Sequence, residues 1–304
     1  MSNRRKKSNF FFEHIVPVIF KSLVYTLPYL PLFIIRGGTI VVFWTFYPLT
    51  VLAGIRKRFA RNIKIAFQDR ITQQEANRAA RRTIGNWLMT ALETVYFYHP
   101  RNRARLREMV DMEGMEKLQQ VYQEGKGIIA VTAHFGNFPL IILRLNLDMK
   151  VTFLLRNFPE KKIADFIINR ARFIPIDMIL TKSDVDPVAE SIRALSDAFL
   201  VFFVADEFKK YSGITVEFFG KSTQQAAGPS VISLRTDAPQ IPMFIIKQKC
   251  GRHKVIIEDP IEYTPTGDMD RDIQALTQKR MEVIEKYIRR YPDMWLWVHS
   301  RWGK

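Results

Sequence analysis

From Gly127 onward the sequence alternates short β-prone runs with stretches of helical spacing, and this alternation is what most constrains the fold. Strands are expected at Ile128–Thr132, Val151–Leu155, Ile174–Ile179, Leu200–Ala205, Pro242–Ile246 and Val255–Glu258. Helices are expected near Lys161–Arg172, Pro187–Ala198 and Ser230–Thr236, and an amphipathic helix over Asp270–Arg290 runs into Pro292. Strands that alternate with helices in this way build a mostly parallel sheet covered on both faces. The expected fold class is therefore α/β, a mostly parallel mixed sheet flanked by helices.

The first expected strand delivers a single histidine, His134, onto a turn of small and polar residues, Gly136 and Asn137. A buried strand that stops at such a turn holds an imidazole at the carboxyl edge of its sheet, where α/β folds place ligands. A histidine beside an apolar run is also an ordinary core residue, so His134 becomes a candidate centre only with support from the rest of the chain.

The first 55 residues are of another kind. After Arg4, Arg5, Lys6 and Lys7 comes an apolar region in which Ser22 to Ile35 and Gly37 to Ile55 are uncharged and only Arg36 intervenes. The second run approaches the roughly 20 residues a helix needs to cross a bilayer. Pro28, Pro31, Gly37, Gly38 and Pro48 interrupt the pattern of the apolar region, and Arg56, Lys57, Arg58 and Arg61 follow the second run. A crossing, a helical hairpin and an interfacial element all fit. The expected division is a membrane-associated helical region over 1–55 and an α/β domain over 56–304. Early in the second, Thr72-Gln73-Gln74-Glu75 has the form of a capping box opening a helix over Ala76–Tyr96.

With 304 residues and 47% apolar composition the chain can bury a full core. A net charge of +16 favours polyanionic partners. The lone Cys250 excludes an internal disulfide and a cysteine-based metal site. Glycine-rich phosphate loops, GxSxG and HExxH are absent from the sequence. Many of the aromatics sit in the N-terminal apolar region rather than among basic residues, which argues against nucleic acid.

Several blocks, taken in order, resemble those of the lysophospholipid acyltransferase superfamily. More narrowly, they resemble its branch of late lipid A acyltransferases and phosphatidylinositol mannoside acyltransferases. The stretch at His134 resembles that family's His-x4-Asp/Glu motif, and Arg61-Asn62, Phe67 and Glu93 resemble its helical lead-in. Arg156 and Arg170 resemble its basic positions, while Asp206, Phe218-Phe219-Gly220 and Ala226-Ala227-Gly228-Pro229 resemble its central blocks. Ala238-Pro239-Gln240-Ile241-Pro242 resembles the next block, and Tyr291-Pro292, Trp295, Trp297, His299, Arg301 and Trp302 resemble its WxWxHxRW ending.

The chain departs from the family at one position: Pro139 stands where the motif acid belongs. The resemblance implies His134 as general base, with that acid orienting its imidazole. Asp206 and Glu207, ending a neighbouring expected strand, are the candidate replacements, ahead of Glu93. Acyl transfer also requires an oxyanion site, for which donors near Gly136 and Asn137 are candidates, and Arg156 and Arg170 would hold an acceptor phosphate. The expected activity moves a fatty acyl chain from acyl carrier protein or acyl-CoA to a hydroxyl of a glycolipid or phospholipid. It needs no cofactor or metal and would sit on the cytoplasmic face of a bacterial inner membrane. Two alternatives stay open: a non-catalytic lipid-binding member, which Pro139 recommends, and a basic protein of the membrane surface that binds partners without an acyl pocket.

Overall fold

The structure, a computed structural model, describes residues 16–156, 177–181, 186–209 and 212–298. It opens with helix α1 (Val16–Thr26), a 3-10 turn at Leu27–Tyr29 and α2 (Leu32–Leu52). Arg36, Gly37 and Gly38 do not interrupt α2, and Pro48 lies inside it. At about 1.5 Å per residue the helix is long enough to reach across a hydrocarbon core. Its outer face is apolar and open: Phe33 is 75% exposed, Val41 66% and Leu52 82%. Its inner face is not separate from the rest of the molecule, because Leu32 and Ile35 join the same core cluster as Tyr96, Phe97 and Ile128.

Two helices then lead into the sheet, α3 (Ile55–Ala66) and α4 (Gln73–Tyr98). The capping box forms as expected. The Glu75 amide donates to Thr72 Oγ1 at 3.2 Å, and the Thr72 amide to Glu75 Oε2 at 2.8 Å. Beyond two short helical turns come β1 (Val110–Glu113), α5 (Met115–Gln123), β2 (Ile128–Thr132), α6 (Pro139–Leu145), β3 (Val151–Arg156) and β4 (Asp177–Thr181). The chain continues with α7 (Pro187–Ser196), β5 (Leu200–Val204), β6 (Ile214–Phe218), β7 (Lys221–Gln225) and α8 (Gly228–Thr236). It then runs through β8 (Gln240–Lys247), β9 (His253–Ile257) and α9 (Met269–Arg290).

Seven strands form one sheet in the order β1-β9-β8-β2-β5-β3-β4. Every neighbouring pair is parallel except β8 with β9. The expected α/β class with a mostly parallel mixed sheet is what the chain adopts. All five residues of β2 are buried, as a central strand covered on both faces requires. Ile128 and Ala130 pack into one cluster with α6, and Ile129 and Val131 into another with Ile232 of α8.

Three strands were not among those expected from sequence. β1 is a four-residue edge strand with little pattern, and β6 and β7 form a separate antiparallel hairpin. The hairpin turns on Phe219 (φ 56°) and Gly220 (φ 69°), the left-handed pair that a two-residue loop demands. The expected helix over Lys161–Arg172, with Arg170, lies outside the described residues, as do His299, Arg301 and Trp302.

Candidate active site

The register of two neighbouring strands builds the site. β2 and β5 run parallel with Ile128 opposite Leu200 and Thr132 opposite Val204. The Ala205 amide extends the ladder, donating to Thr132 O at 2.7 Å. Continued past both strand ends, the same register sets His134 beside Asp206 at the carboxyl edge. His134 Nδ1 lies 2.8 Å from Asp206 Oδ1, and the Trp295 indole N–H donates to Asp206 Oδ2 at 2.8 Å.

Accessibility separates the two partners. The Asp206 side chain is 0% exposed and that of His134 41%. A buried carboxylate must have its oxygens satisfied, and Trp295 and His134 take one each. With Nδ1 turned to a carboxylate, that nitrogen carries the proton and Nε2, across the ring, is the basic one. Trp87 and Phe138 flank the imidazole with ring centroids at 6.4 and 5.6 Å, giving it apolar walls.

The turn after His134 is held from three sides. Gly136 has φ 54°, and a Cβ there would stand 2.3 Å from the Ile245 carbonyl of β8, so only glycine fits. Its amide donates to Met294 O at 2.9 Å, while the Leu296 amide donates to His134 O at 3.0 Å. The 294–297 segment therefore clamps the turn with its backbone and reaches Asp206 with its indole. Pro139 takes the first position of α6, where a helix needs no N–H and the proline ring suits the backbone.

Asn137 turns inward. Its Nδ2 donates to Glu93 Oε2 at 3.0 Å, and its Oδ1 accepts from Thr94 Oγ1 at 3.2 Å. Its carboxamide is thus engaged within the protein, and Gly136 has already spent its N–H on Met294. Among the described residues, the backbone amides of Asn137 and Phe138 donate to no backbone carbonyl.

Glu93, 1% exposed on α4, also takes Arg36 Nε at 2.8 Å on Oε1 and lies 2.9 Å from His253 Nε2 through Oε2. Burial pushes its carboxyl up, but hydrogen bonding and charge from His253, with Arg36 behind them, outweigh that and hold it below the ordinary carboxylate range.

Of the remaining expected residues, Glu207 pairs with Lys209 at 3.2 Å, whereas its neighbour Asp206 meets His134. Arg156 ends β3, one strand beyond β5 and at the same edge of the sheet as His134. The roles of Trp295 and Arg36 were not read from sequence. The signal for Arg36 was present, since a lone charge in a long apolar region needs a partner. Among the described residues no group of three or more His, Cys, Asp or Glu side chains could hold a metal ion. A cavity of about 560 Å³ lined by Tyr122, Lys150 and Phe199 opens at the amino ends of β3 and β5, the opposite edge from this chemistry.

Comparison with known proteins agrees with the family that the sequence blocks resemble. A phosphatidylinositol mannoside acyltransferase of Mycolicibacterium smegmatis is 24% identical over 66% of this chain and 65% of its own length. A lipid A biosynthesis palmitoleoyltransferase of Escherichia coli is 23% identical over 81% of this chain and 78% of its own. For an Escherichia coli lipid A biosynthesis lauroyltransferase the figures are 23%, 79% and 76%. Residues 17–304 match the bacterial lipid A biosynthesis acyltransferase family, and with nearly the whole chain inside that match the protein belongs to it.

Proposed function

We propose that the protein is a membrane-attached O-acyltransferase that moves a fatty acyl chain from an acyl thioester to a hydroxyl of a glycolipid or phospholipid. The observation that carries this reading is the 2.8 Å contact between an accessible His134 and a buried Asp206. Asp206 supplies from the next strand the carboxylate that Pro139 cannot. The donor is acyl carrier protein or acyl-CoA, and the acceptor is of the lipid A or phosphatidylinositol mannoside kind.

The chemistry follows from the arrangement. His134 Nε2 takes the proton of the acceptor hydroxyl as its oxygen attacks the thioester carbonyl. Asp206 stabilises the imidazolium that forms, and Trp295 fixes the carboxylate's orientation. Negative charge gathers on the carbonyl oxygen, for which the Asn137 and Phe138 amides are the donors at hand. Collapse breaks the carbon–sulfur bond, and the imidazolium proton goes to the departing thiolate. Arg156 and Arg170 hold an acceptor phosphate, to which a guanidinium fork is matched.

The outer face of α2 attaches the protein to the cytoplasmic face of the inner membrane, where thioester donors are made, and the +16 net charge suits anionic headgroups and an acidic carrier protein. Because Leu32 and Ile35 belong to the core, the attachment is tested on outward residues alone. Replacing Phe33, Val41 and Leu52 together by serine should release folded protein from the membrane fraction, and retention there would remove the anchor role from α2. For the chemistry, His134→Ala should abolish acyl transfer from a long-chain acyl thioester to lipid extract with thermal stability near wild type. Equal loss of folding and activity would return His134 to the core. Wild-type protein that folds, binds lipid and transfers nothing would instead be a binding member of the family.

A further inference from the structure

We propose that Glu93 is a positioning residue for the His134 turn, and that Arg36 extends its hold to α2, so that the turn is fixed only while that helix lies against the body of the protein. From the acyl-transfer reading the proposal takes only the identification of this turn as the reacting centre.

Three elements meet on one carboxylate: α2 through Arg36, the catalytic turn through Asn137, and β9 through His253. Arg36 is the only charged residue between Lys21 and Arg56, in the part of the chain least suited to a charge. Burying a carboxylate and half-burying a guanidinium is costly, and apolar packing would join α2 to α4 without that cost. What apolar packing cannot do is fix the orientation of an amide. Glu93 Oε2 accepts from Asn137 Nδ2 and Thr94 donates to Asn137 Oδ1, so the carboxamide has one orientation and the backbone behind it is held with it. Arg36 completes the set by donating to Glu93 and, through Nη2, to Gly251 O at 2.6 Å, which bridges α2 to the loop before β9. Losing Arg36 leaves Glu93 with a charge that α2 no longer neutralises, and Asn137 shares the consequence.

The test is hydrogen exchange, read by mass spectrometry on the full-length chain in detergent micelles. Glu93→Gln keeps the side chain's shape and Arg36→Gln removes the charge from α2. Each should speed exchange of the 134–141 segment, which contains the bonded amides of Gly136, Leu140 and Ile141, by about tenfold or more, the effect of one lost charge-assisted hydrogen bond. The β2 segment 128–132 should keep its wild-type rate, and the double variant should exchange no faster than Glu93→Gln alone. Arg252→Gln, which breaks an exposed ion pair with Asp111, should change nothing. In acyl-transfer assays Arg36→Gln should lower kcat and leave KM for the thioester unchanged, with partial rescue by Arg36→Lys. A 134–141 segment exchanging at the wild-type rate in either single variant would overturn the proposal. So would equal acceleration in β2 and α9, which would make Glu93 a general stabiliser. An inactive wild type would count against the acyl-transfer reading, while the exchange rates would still decide the role of Glu93.

Discussion

Two histidine–carboxylate pairs flank the same turn, at nearly the same separation, and their surroundings make them different objects. His134 meets Asp206 at 2.8 Å and His253 meets Glu93 at 2.9 Å. The His134 side chain is 41% exposed and that of His253 6%. One imidazole is open to solvent, whereas the other is buried against a carboxylate that Arg36 and Asn137 also hold. A short contact between these residue types therefore does not by itself mark a catalyst. What separates the two is exposure of the side chain, together with a position at the carboxyl edge of the sheet, where α/β folds place ligands.

The contrast breaks most sharply on the acids. Asp206→Asn should lower kcat by about 10³ to 10⁴, the scale known for the serine-protease triad when its aspartate loses the ability to orient the histidine, with the melting temperature little changed. Kinetics within tenfold of wild type would end the assignment of Asp206. Breaking the sealed pair should act the other way. His253→Leu leaves Glu93 buried with one partner fewer and should cost about 1–3 kcal/mol in denaturant unfolding, with a smaller fall in kcat than Asp206→Asn produces. A kcat loss as large as that of Asp206→Asn, without destabilisation, would make the two pairs equivalent.

Acid sharpens the same distinction. The Glu93 carboxyl is held below its unfolded value of about 4.3, so its contribution to stability is present above that pH and is lost as pH falls through the lower folded value. Wild-type unfolding free energy should therefore fall over that range more steeply than that of Glu93→Gln, and parallel curves would contradict the pairing. The indoles give a smaller contrast. Trp295 donates to Asp206 and Trp297 to Pro292 O, so Trp295→Phe should lower kcat by roughly tenfold, the value of one charge-assisted bond, and Trp297→Phe by much less. Smallest of all, Glu207→Gln and Pro139→Glu should leave turnover within about twofold of wild type, because neither touches a bond that Asp206 makes.

Much of this was legible in the residues. The strand into His134, the capping box and the last long helix all carry local signals, and the structure places them within a few residues of expectation. The choice between Asp206 and Glu207 was not legible, because it depends on the β2–β5 register. Parallel register is a property of two strands far apart in sequence, and a shift of one residue would have set Glu207 rather than Asp206 opposite His134. The β6–β7 hairpin escaped for a different reason: its turn puts a phenylalanine at positive φ, where sequence patterns lead one to look for asparagine or glycine. Arg36 looked like an interruption of an apolar span, yet the helix passes through it unbroken. Its partner Glu93 lies 57 residues away, so no local pattern could have joined them.

The clamp over the His134 turn also has a consequence in time. Trp295 comes 89 residues after Asp206, and Met294 and Leu296 pin the backbone on either side of Phe135. During synthesis His134 and Asp206 leave the ribosome long before the segment that holds them. The β2 and β5 edges can pair while the reacting geometry is still open, and it closes only when the tryptophan-bearing segment arrives. A nascent chain therefore lacks the grip on Asp206 until residues 294–296 have been made and docked, so the geometry at His134 is completed by a segment that follows both of its partners.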